Sequence, residues 1–242
     1  MNTKLGAFIM SCGRALVAFS IVAGTVFILT KSASAAAERA GGALPAPAVD
    51  DALASAKGEQ TAVFAGGCFW GIQAVFEHVK GVKSAISGYS GGKVASPSYE
   101  DVSSGTTGHA ESVRVTYDPS QVTYGQLLRV FFSVAHDPTQ LNRQGPDHGT
   151  QYRSAIFYAN DSQKRIATAY IDQLTKSKSF DRPIVTEVTK LTGFNIAEAY
   201  HQDYARLHPY EPYIMFNDAP KVKNLKSELP EMWSEKGVLA TR

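Results

Sequence analysis

The amino-acid sequence predicts a domain of the α+β class, built from short strands and helices around an antiparallel sheet. Hydrophobic residues make up 44% of the 242 residues and charged residues 19%, a mixture typical of chains that fold around an apolar core. Short apolar runs bounded by glycine alternate along the chain with segments whose apolar residues recur at helical spacing. The length allows one folded domain or at most two.

The predicted elements form two successive β-α-β units. In chain order they are a strand at 61–65, a helix from 68 to about 79, a strand at 82–89, a strand at 112–117, a helix at 124–135 and a strand at 154–159. This order is that of the split β-α-β motif, so we predict a two-layer ferredoxin-like βαββαβ sandwich with helices on one face of the sheet. Additional C-terminal elements are expected to follow it: a helix after residue 160, a strand at 183–191 and a helix at 197–207.

Turn and capping residues mark the ends of these elements. Gly66-Gly67 stops the first strand, and Gly81 follows the first helix. Asp118-Pro119 closes the strand at 112–117, and Asn160-Asp161-Ser162 is a pattern that caps a following helix. The segment before the third strand, up to about Ala110, is expected to be a loop.

Residues 1–35 have the organisation of a secretory signal peptide. Lys4 and Arg14 are followed by an uncharged apolar run that ends at Thr30, and Ala33-Ser34-Ala35 forms an A-x-A cleavage pattern. The run is shorter than the ~20 residues of a membrane span. We therefore expect cleavage after Ala35 and export to the periplasm. An uncleaved leader that tethers the protein to the membrane is the alternative.

The rest of the chain divides by composition into three parts. An Ala-, Pro- and Gly-rich linker is predicted at 36–58, a folded domain at 59–215 and a C-terminal extension at 216–242. Removal of the leader would take away three basic residues and no acidic one, which changes the formal charge from +2 to −1. Neither value indicates nucleic-acid binding. We expect a monomer without stable membrane insertion after cleavage.

Cleavage would also separate the two cysteines of the chain, Cys12 and Cys68. The mature protein would then carry one thiol, which cannot form an internal disulfide and indicates intermolecular pairing or a reactive role. Cys68 lies between Gly66-Gly67 and the aromatic pair Phe69-Trp70, and we expect it in the first turn of a helix, where the pKa of a thiol is lowered. The alternative is that Cys68 is a small buried hydrophobic residue, the commoner fate of a lone cysteine.

Several longer motifs resemble the peptide methionine sulfoxide reductase A family. They are, in order, GGCFWG, SGYSGG, PSYEDVSSGTTGHAE, HDPTQLNRQGPDHGTQYRSAIFY and AEAYHQDYARLHPY, and they cover about 61–213. The resemblance implies a core related to the ferredoxin-like sandwich. It also implies a catalytic domain at 59–215 that reduces methionine S-sulfoxide, free or in oxidised proteins, to methionine.

The resemblance assigns seven residues to the active site. They are Cys68 as the nucleophile, Glu111 as the acid that protonates the sulfoxide oxygen, Tyr99 and Tyr152 as hydroxyls that hydrogen-bond that oxygen, Asp147 as a carboxylate of the polar network, and Phe69 with Trp70 as the pocket for the substrate methyl group. Since Glu111 must be protonated to donate, we expect burial to raise its pKa. Without the resemblance, the tyrosines would be interpreted as packing residues and Asp147 as a turn residue.

No cysteine follows Cys68, whereas many members of the family carry further cysteines near the C-terminus. The resemblance therefore implies a one-cysteine member whose Cys68 sulfenic acid is reduced by an external thiol. A thioredoxin-like protein, a glutaredoxin-like protein or a small thiol would serve. We expect no bound cofactor, and the six histidines form no H-E-x-x-H metal motif.

Two other functions are compatible with a single reactive cysteine. Cys68 is followed by His201 and Asn217 at separations of 133 and 149 residues, within the spacing of a papain-like protease, although the C-G-S-C-W context is absent. An exported redox sensor or binding domain that stores a sulfenic acid without turnover is the second alternative.

Overall fold

A computed structural model describes residues 43–240 of the chain. They form a mixed α/β fold in which helices pack around one central sheet. The predicted signal peptide at 1–35 lies outside the described residues, as does Cys12.

In the described part of the chain, eight strands form one six-stranded sheet and one short hairpin. They are β1 (Gln60–Gly66), β2 (Val82–Ser90), β3 (Ala110–Tyr117), β4 (Arg143–Gln144), β5 (Asp147–His148), β6 (Ser154–Tyr158), β7 (Glu187–Lys190) and β8 (Asn195–Ile196). The sheet order is β7-β6-β1-β3-β2-β8, and β4 pairs with β5. The neighbours are antiparallel except β6 and β7, which are parallel. The order of the two predicted β-α-β units is thus present in β1, β2, β3 and β6.

Within residues 43–240, six α-helices accompany the strands. They are α1 (Phe69–Glu77), α2 (Tyr99–Ser103), α3 (Tyr124–Val130), α4 (Asp161–Lys176), α5 (Tyr204–Leu207) and α6 (Ala219–Glu228). Helix α3 continues as a π-helical turn over Phe131–Ala135, so the helical region predicted at 124–135 is present. Asn160 caps α4 as predicted, because its side chain accepts a hydrogen bond from the Gln163 N–H.

The core lies between the sheet and the helices that cover it. The Phe64 ring of β1 stacks on Phe76 of α1 at 5.3 Å and on Phe131 at 4.9 Å between ring centroids. All three side chains are buried to 0% exposure. Because α1 is anchored by these contacts, the position of its first residues is determined by the core.

The prediction of one continuous helix at 197–207 is wrong. A 3₁₀ turn covers Ala199–His201, Asp203 has a left-handed backbone with φ of 54°, and α5 begins only at Tyr204. The break has an identifiable cause, since the Asp203 N–H donates to Gln73 of α1 rather than within a helix. The segment before β3 also differs from the expected loop, because α2 lies within it.

The residues that flank the domain pack against it. Leu44 is 5% exposed and its N–H donates to Ser133 Oγ, while Asp50 accepts a hydrogen bond from the Thr123 hydroxyl. The part of the predicted linker that the structure describes is thus attached to the domain at Leu44 and Asp50, because an apolar and a carboxylate side chain interrupt its Ala- and Pro-rich composition. Residues 36–42 lie outside the described part.

The predicted C-terminal extension, which the structure describes up to residue 240, is likewise part of the folded unit. Leu225 and Leu229 of this segment are fully buried, and Trp233 forms a β-bridge with Val79. The structure shows no boundary at residue 215, because α6 packs against α1.

Candidate active site

The turn between β1 and α1 positions the cysteine. Gly67 has a φ of +98°, and a Cβ at this residue would lie 2.5 Å from Gln144, so glycine is required by both backbone and space. Cys68 follows as the N-cap residue, one position before the first helical residue Phe69. The sulfur therefore lies at the N-terminal end of α1, although one residue earlier than predicted.

Cys68 lies in a small cavity with a volume of about 170 Å³. The residues that line it are Cys68, Phe69, Trp70, Tyr99, Glu111, Asp147, Tyr152 and Tyr213. All seven residues predicted for the site meet here, from five separate parts of the chain. The volume is below the roughly 300–1,000 Å³ of typical small-molecule sites, so the cavity suits one amino-acid side chain.

Glu111 is the more deeply buried of the two carboxyl groups that line this cavity. It lies on β3 and is 3% exposed, and its Oε2 accepts a hydrogen bond from the Phe69 N–H at 3.0 Å. Burial raises the pKa of Glu111 to about 8, and the carboxylates of Asp147 and Asp218 act in the same direction. The expectation of a raised pKa agrees with this result. Glu111 can hold a proton at neutral pH.

The pKa of the Cys68 thiol differs from the expectation. Burial raises it well above the ordinary value, and the Glu111 and Asp218 carboxylates raise it further. The Trp70 backbone N–H and the Lys221 ammonium lower it, but they do not outweigh burial. The predicted lowering by the helix terminus is therefore wrong as a net effect, because a thiol that is only 8% exposed loses the hydration of its charged form.

Three phenols and a carboxylate complete the polar side of the cavity. Tyr99 begins α2, and Tyr152 ends a 3₁₀ turn; burial raises the pKa of both, so their hydroxyls are donors. The Tyr213 hydroxyl donates to Asp147 Oδ2. Burial raises the pKa of Asp147, whereas this hydrogen bond lowers it.

An aromatic cluster holds Trp70 in place. The Tyr204 ring stacks on the indole at 3.9 Å between centroids, and Tyr213 packs edge-on at 6.0 Å. The indole N–H donates to His201 Nδ1 at 3.2 Å. No sequence pattern predicted a role in this pocket for His201, Tyr204 or Tyr213. All three residues lie in or beside the AEAYHQDYARLHPY motif, and that motif could have indicated them as pocket residues.

Cys68, His201 and Asn217 do not form the hydrogen-bonded triad of a cysteine protease. His201 Nδ1 is occupied by Trp70, and its Nε2 lies 3.9 Å from Glu198. The Asn217 side chain donates to the Tyr213 backbone carbonyl instead of to His201. The spacing that suggested a papain-like triad is therefore coincidental.

Two features are absent from residues 43–240. No group of three or more His, Cys, Asp or Glu side chains there is arranged to hold a metal ion. Within the same range, no helix has the length and apolar character needed to cross a membrane.

Comparison with known proteins identifies the family. The family profile described as peptide methionine sulfoxide reductase matches residues 60–233. A curated relative from Mesorhizobium japonicum, peptide methionine sulfoxide reductase MsrA 2, is 62% identical over 185 residues, which are 76% of this chain and 95% of the relative. The chain belongs to the peptide methionine sulfoxide reductase family. A reductase of the same name from Synechocystis is 52% identical, over 76% of this chain and 87% of its own length.

Solved structures of this reductase family have the same fold. Mxr1 from Saccharomyces cerevisiae in its reduced form superposes with a TM-score of 0.57 at 31% identity, over 67% of this chain and 91% of that one. Methionine sulfoxide reductase A of Corynebacterium diphtheriae superposes with a TM-score of 0.56 at 33% identity, over 73% and 92%. The family profile extends to residue 233, so it includes α6 as part of the reductase domain.

Proposed function

We propose that this protein reduces methionine S-sulfoxide, free or in oxidised proteins, to methionine, and that thiols supply the electrons. The observation that carries the proposal is that a buried thiol, Cys68, and a carboxyl protonated at neutral pH, Glu111, line one cavity of side-chain size. A sulfoxide needs both groups, since its sulfur accepts a nucleophile more readily when its oxygen is protonated.

The first half-reaction transfers oxygen from the substrate to the enzyme. The Cys68 sulfur attacks the sulfoxide sulfur while Glu111 gives its proton to the oxygen. The attack forms a bond between the two sulfurs, and the S–O bond of the substrate breaks. The oxygen then bonds to the Cys68 sulfur as a hydroxyl while the bond between the sulfurs breaks, which leaves sulfenic acid on Cys68 and releases methionine. Cys68 loses two electrons, the substrate sulfur gains them, and the thiol proton restores Glu111. Tyr99 and Tyr152 donate hydrogen bonds to the oxygen, and Phe69 with Trp70 surrounds the methyl group.

The second half-reaction regenerates the thiol. Cys68 is the one cysteine among the described residues, so the sulfenic acid is resolved by an external thiol: the first thiol releases water and forms a mixed disulfide, and a second thiol reduces it. A thioredoxin-like protein, a glutaredoxin-like protein or a small thiol can supply these equivalents. No bound cofactor is required by this chemistry.

The substitution Cys68→Ser tests the assignment. We expect no methionine from a methionine S-sulfoxide substrate with dithiothreitol, whereas the parent turns over repeatedly. Mass spectrometry of the parent after one equivalent of substrate without reductant should find a Cys68 sulfenic acid. Activity retained in Cys68→Ser would contradict the mechanism. A parent that stops after one equivalent even with reductant would instead indicate the redox sensor.

We infer that the enzyme works outside the cytoplasm, most simply in the periplasm, as a monomer that repairs oxidised exported proteins. The support is the leader pattern at 1–35, and an uncleaved leader that tethers the domain is the alternative. N-terminal sequencing of the exported protein distinguishes the two. We also propose that the core is a ferredoxin-like sandwich, on the strength of the antiparallel order β6-β1-β3-β2.

A further inference from the structure

A buried ion pair lies beside the first turn of α1, outside the lining of the cavity. Lys221 Nζ is 3.0 Å from Asp218 Oδ1, and the side chains are 17% and 0% exposed. Asp218 Oδ2 is buried without a hydrogen-bond partner, so the carboxylate is only partly compensated. Both residues belong to the segment 216–242, to which the sequence analysis gave no role in the site.

Gly71 brings the pair against the helix that carries the nucleophile. A Cβ on Gly71 would lie 2.1 Å from Asp218 Oδ1 and 2.7 Å from Lys221 Nζ. Both charges therefore contact the backbone three residues after Cys68. Stability alone does not explain their burial, because a buried ion pair often contributes no more than apolar residues of the same volume.

We infer that the Asp218–Lys221 pair adjusts the protonation of the two reacting groups: Lys221 stabilises negative charge on the Cys68 sulfur, whereas Asp218 adds to the effect of burial in keeping the proton on Glu111. Neither residue touches the cavity, so both are positioning residues. The importance of this ion pair for the reaction rests on the proposed function, whereas its effect on the pKa of Cys68 does not.

The electrostatic effects on the Cys68 thiol have the signs that these two roles require. Among the causes that act on the pKa of Cys68, Glu111 and Asp218 raise it and Lys221 lowers it. After burial and Asp147, Asp218 also raises the pKa of Glu111. Burial raises the pKa of Asp218 itself, Lys221 lowers it, and the Asp147 and Glu211 carboxylates raise it. The four tyrosines close enough to be influenced by Cys68 are Tyr99, Tyr152, Tyr204 and Tyr213, and each has a raised pKa, so they are neutral at neutral pH.

The two members of the pair should therefore shift the thiol in opposite directions. If the pair only attached α6 to α1, loss of either member would loosen the same contact and the two variants would change the thiol in the same direction. Shifts of opposite sign in the pKa of the Cys68 thiol would not arise from a purely structural role of the pair.

The test is the pH dependence of Cys68 alkylation by iodoacetamide, measured in the full protein without substrate or reductant. Mass spectrometry of the peptide that contains Cys68 reads this site alone, so Cys12 does not contribute. The variants are Lys221→Met and Asp218→Asn. Lys223→Met is the matched control, because Lys223 is an exposed lysine on the same helix.

We expect Lys221→Met to move the alkylation midpoint up by about one pH unit, which is about tenfold slower alkylation below the midpoint. Asp218→Asn should move it down, and Lys223→Met should match the parent. An unchanged midpoint in Lys221→Met, or shifts of the same sign in both variants, would overturn the inference. If Lys221→Met does not fold, Asp218→Asn decides, since any result other than a downward shift refutes it. Alkylation needs no sulfoxide, so a failed proposed function would appear separately, as absent turnover in the parent.

Discussion

Replacement of Glu111 by Gln is the sharpest test of the acid in the reaction. The amide has nearly the shape of the carboxyl and can still contact the Phe69 N–H, which donates to Glu111 Oε2 at 3.0 Å. The variant therefore removes the transferable proton and leaves the cavity intact. A loss of rate can then be attributed to chemistry and not to packing.

The structure indicates how much the environment of Glu111 contributes. With a pKa of about 8, the carboxyl is about 90% protonated at pH 7, whereas with the ordinary value of 4.5 it would be only about 0.3% protonated. Burial thus increases the competent acid form by roughly 300-fold at this pH. General acid catalysis contributes about 100- to 10,000-fold to a rate, and we expect Glu111→Gln to lose an amount in that range.

The assay is a single turnover in which methionine is measured by rapid quench, with enzyme in excess and no reductant. Glu77→Gln is the matched control, because Glu77 is also buried and protonated, on α1 but outside the cavity. We expect the control to keep the parental rate, and the parental rate to fall as pH rises through about 8. A Glu111→Gln rate equal to that of the parent would refute the acid role.

Three further substitutions test the surroundings. Tyr213→Phe removes the donor to Asp147; unfolding in urea should show a loss of about 1–2 kcal/mol and the single-turnover rate should fall, and equal values would exclude a role for this bond. Glu77 has a folded-state pKa of about 9, raised by burial and by Asp203, so the native state loses stability as pH rises from about 4.5 towards 9. Glu77→Gln cannot ionise, and its stability relative to the parent should increase with pH over that window; a constant difference at pH 5, 7 and 9 would contradict this. Gly71→Ala would gain about 1 kcal/mol from helix propensity, yet the clash with the buried ion pair should make it less stable by about 1–3 kcal/mol, so a stabilised variant would show that the pair moves freely.

The sequence predicts the local part of this structure well. Hydrophobic spacing locates β1, α1 and β3, because each buries one face against a common core and the pattern records that burial. The GGCFWG motif indicates the turn at Cys68, since only glycine accepts the backbone of Gly67. The longer motifs also predict that Cys68, Glu111, Tyr99 and Tyr152 meet in one site. Hydrophobic spacing alone does not predict this.

The parts that were missed depend on contacts distant in sequence. Asp203 breaks the expected helix because its N–H bonds to Gln73, 130 residues earlier. Lys221 lies beside the first turn of α1 only because α6 packs on α1 and Gly71 leaves room for it. The raised pKa of Cys68 follows from the same packing: the helix terminus acts as expected, but the extent of burial is a property of the assembled fold.

A thiol with a raised pKa is compatible with its role as nucleophile when the protons are followed. Burial raises the pKa of both Cys68 and Glu111, so one proton lies on each group in the resting enzyme at neutral pH. As Glu111 gives its proton to the sulfoxide oxygen, its carboxylate can accept the proton that leaves the sulfur. The sum of thiol and sulfoxide then equals the sum of sulfenic acid and methionine, with no net proton taken from water. The burial that makes a free thiolate unfavourable thus also keeps Glu111 protonated. The Cys68 sulfur becomes negatively charged only while a sulfoxide is present to receive the proton of Glu111.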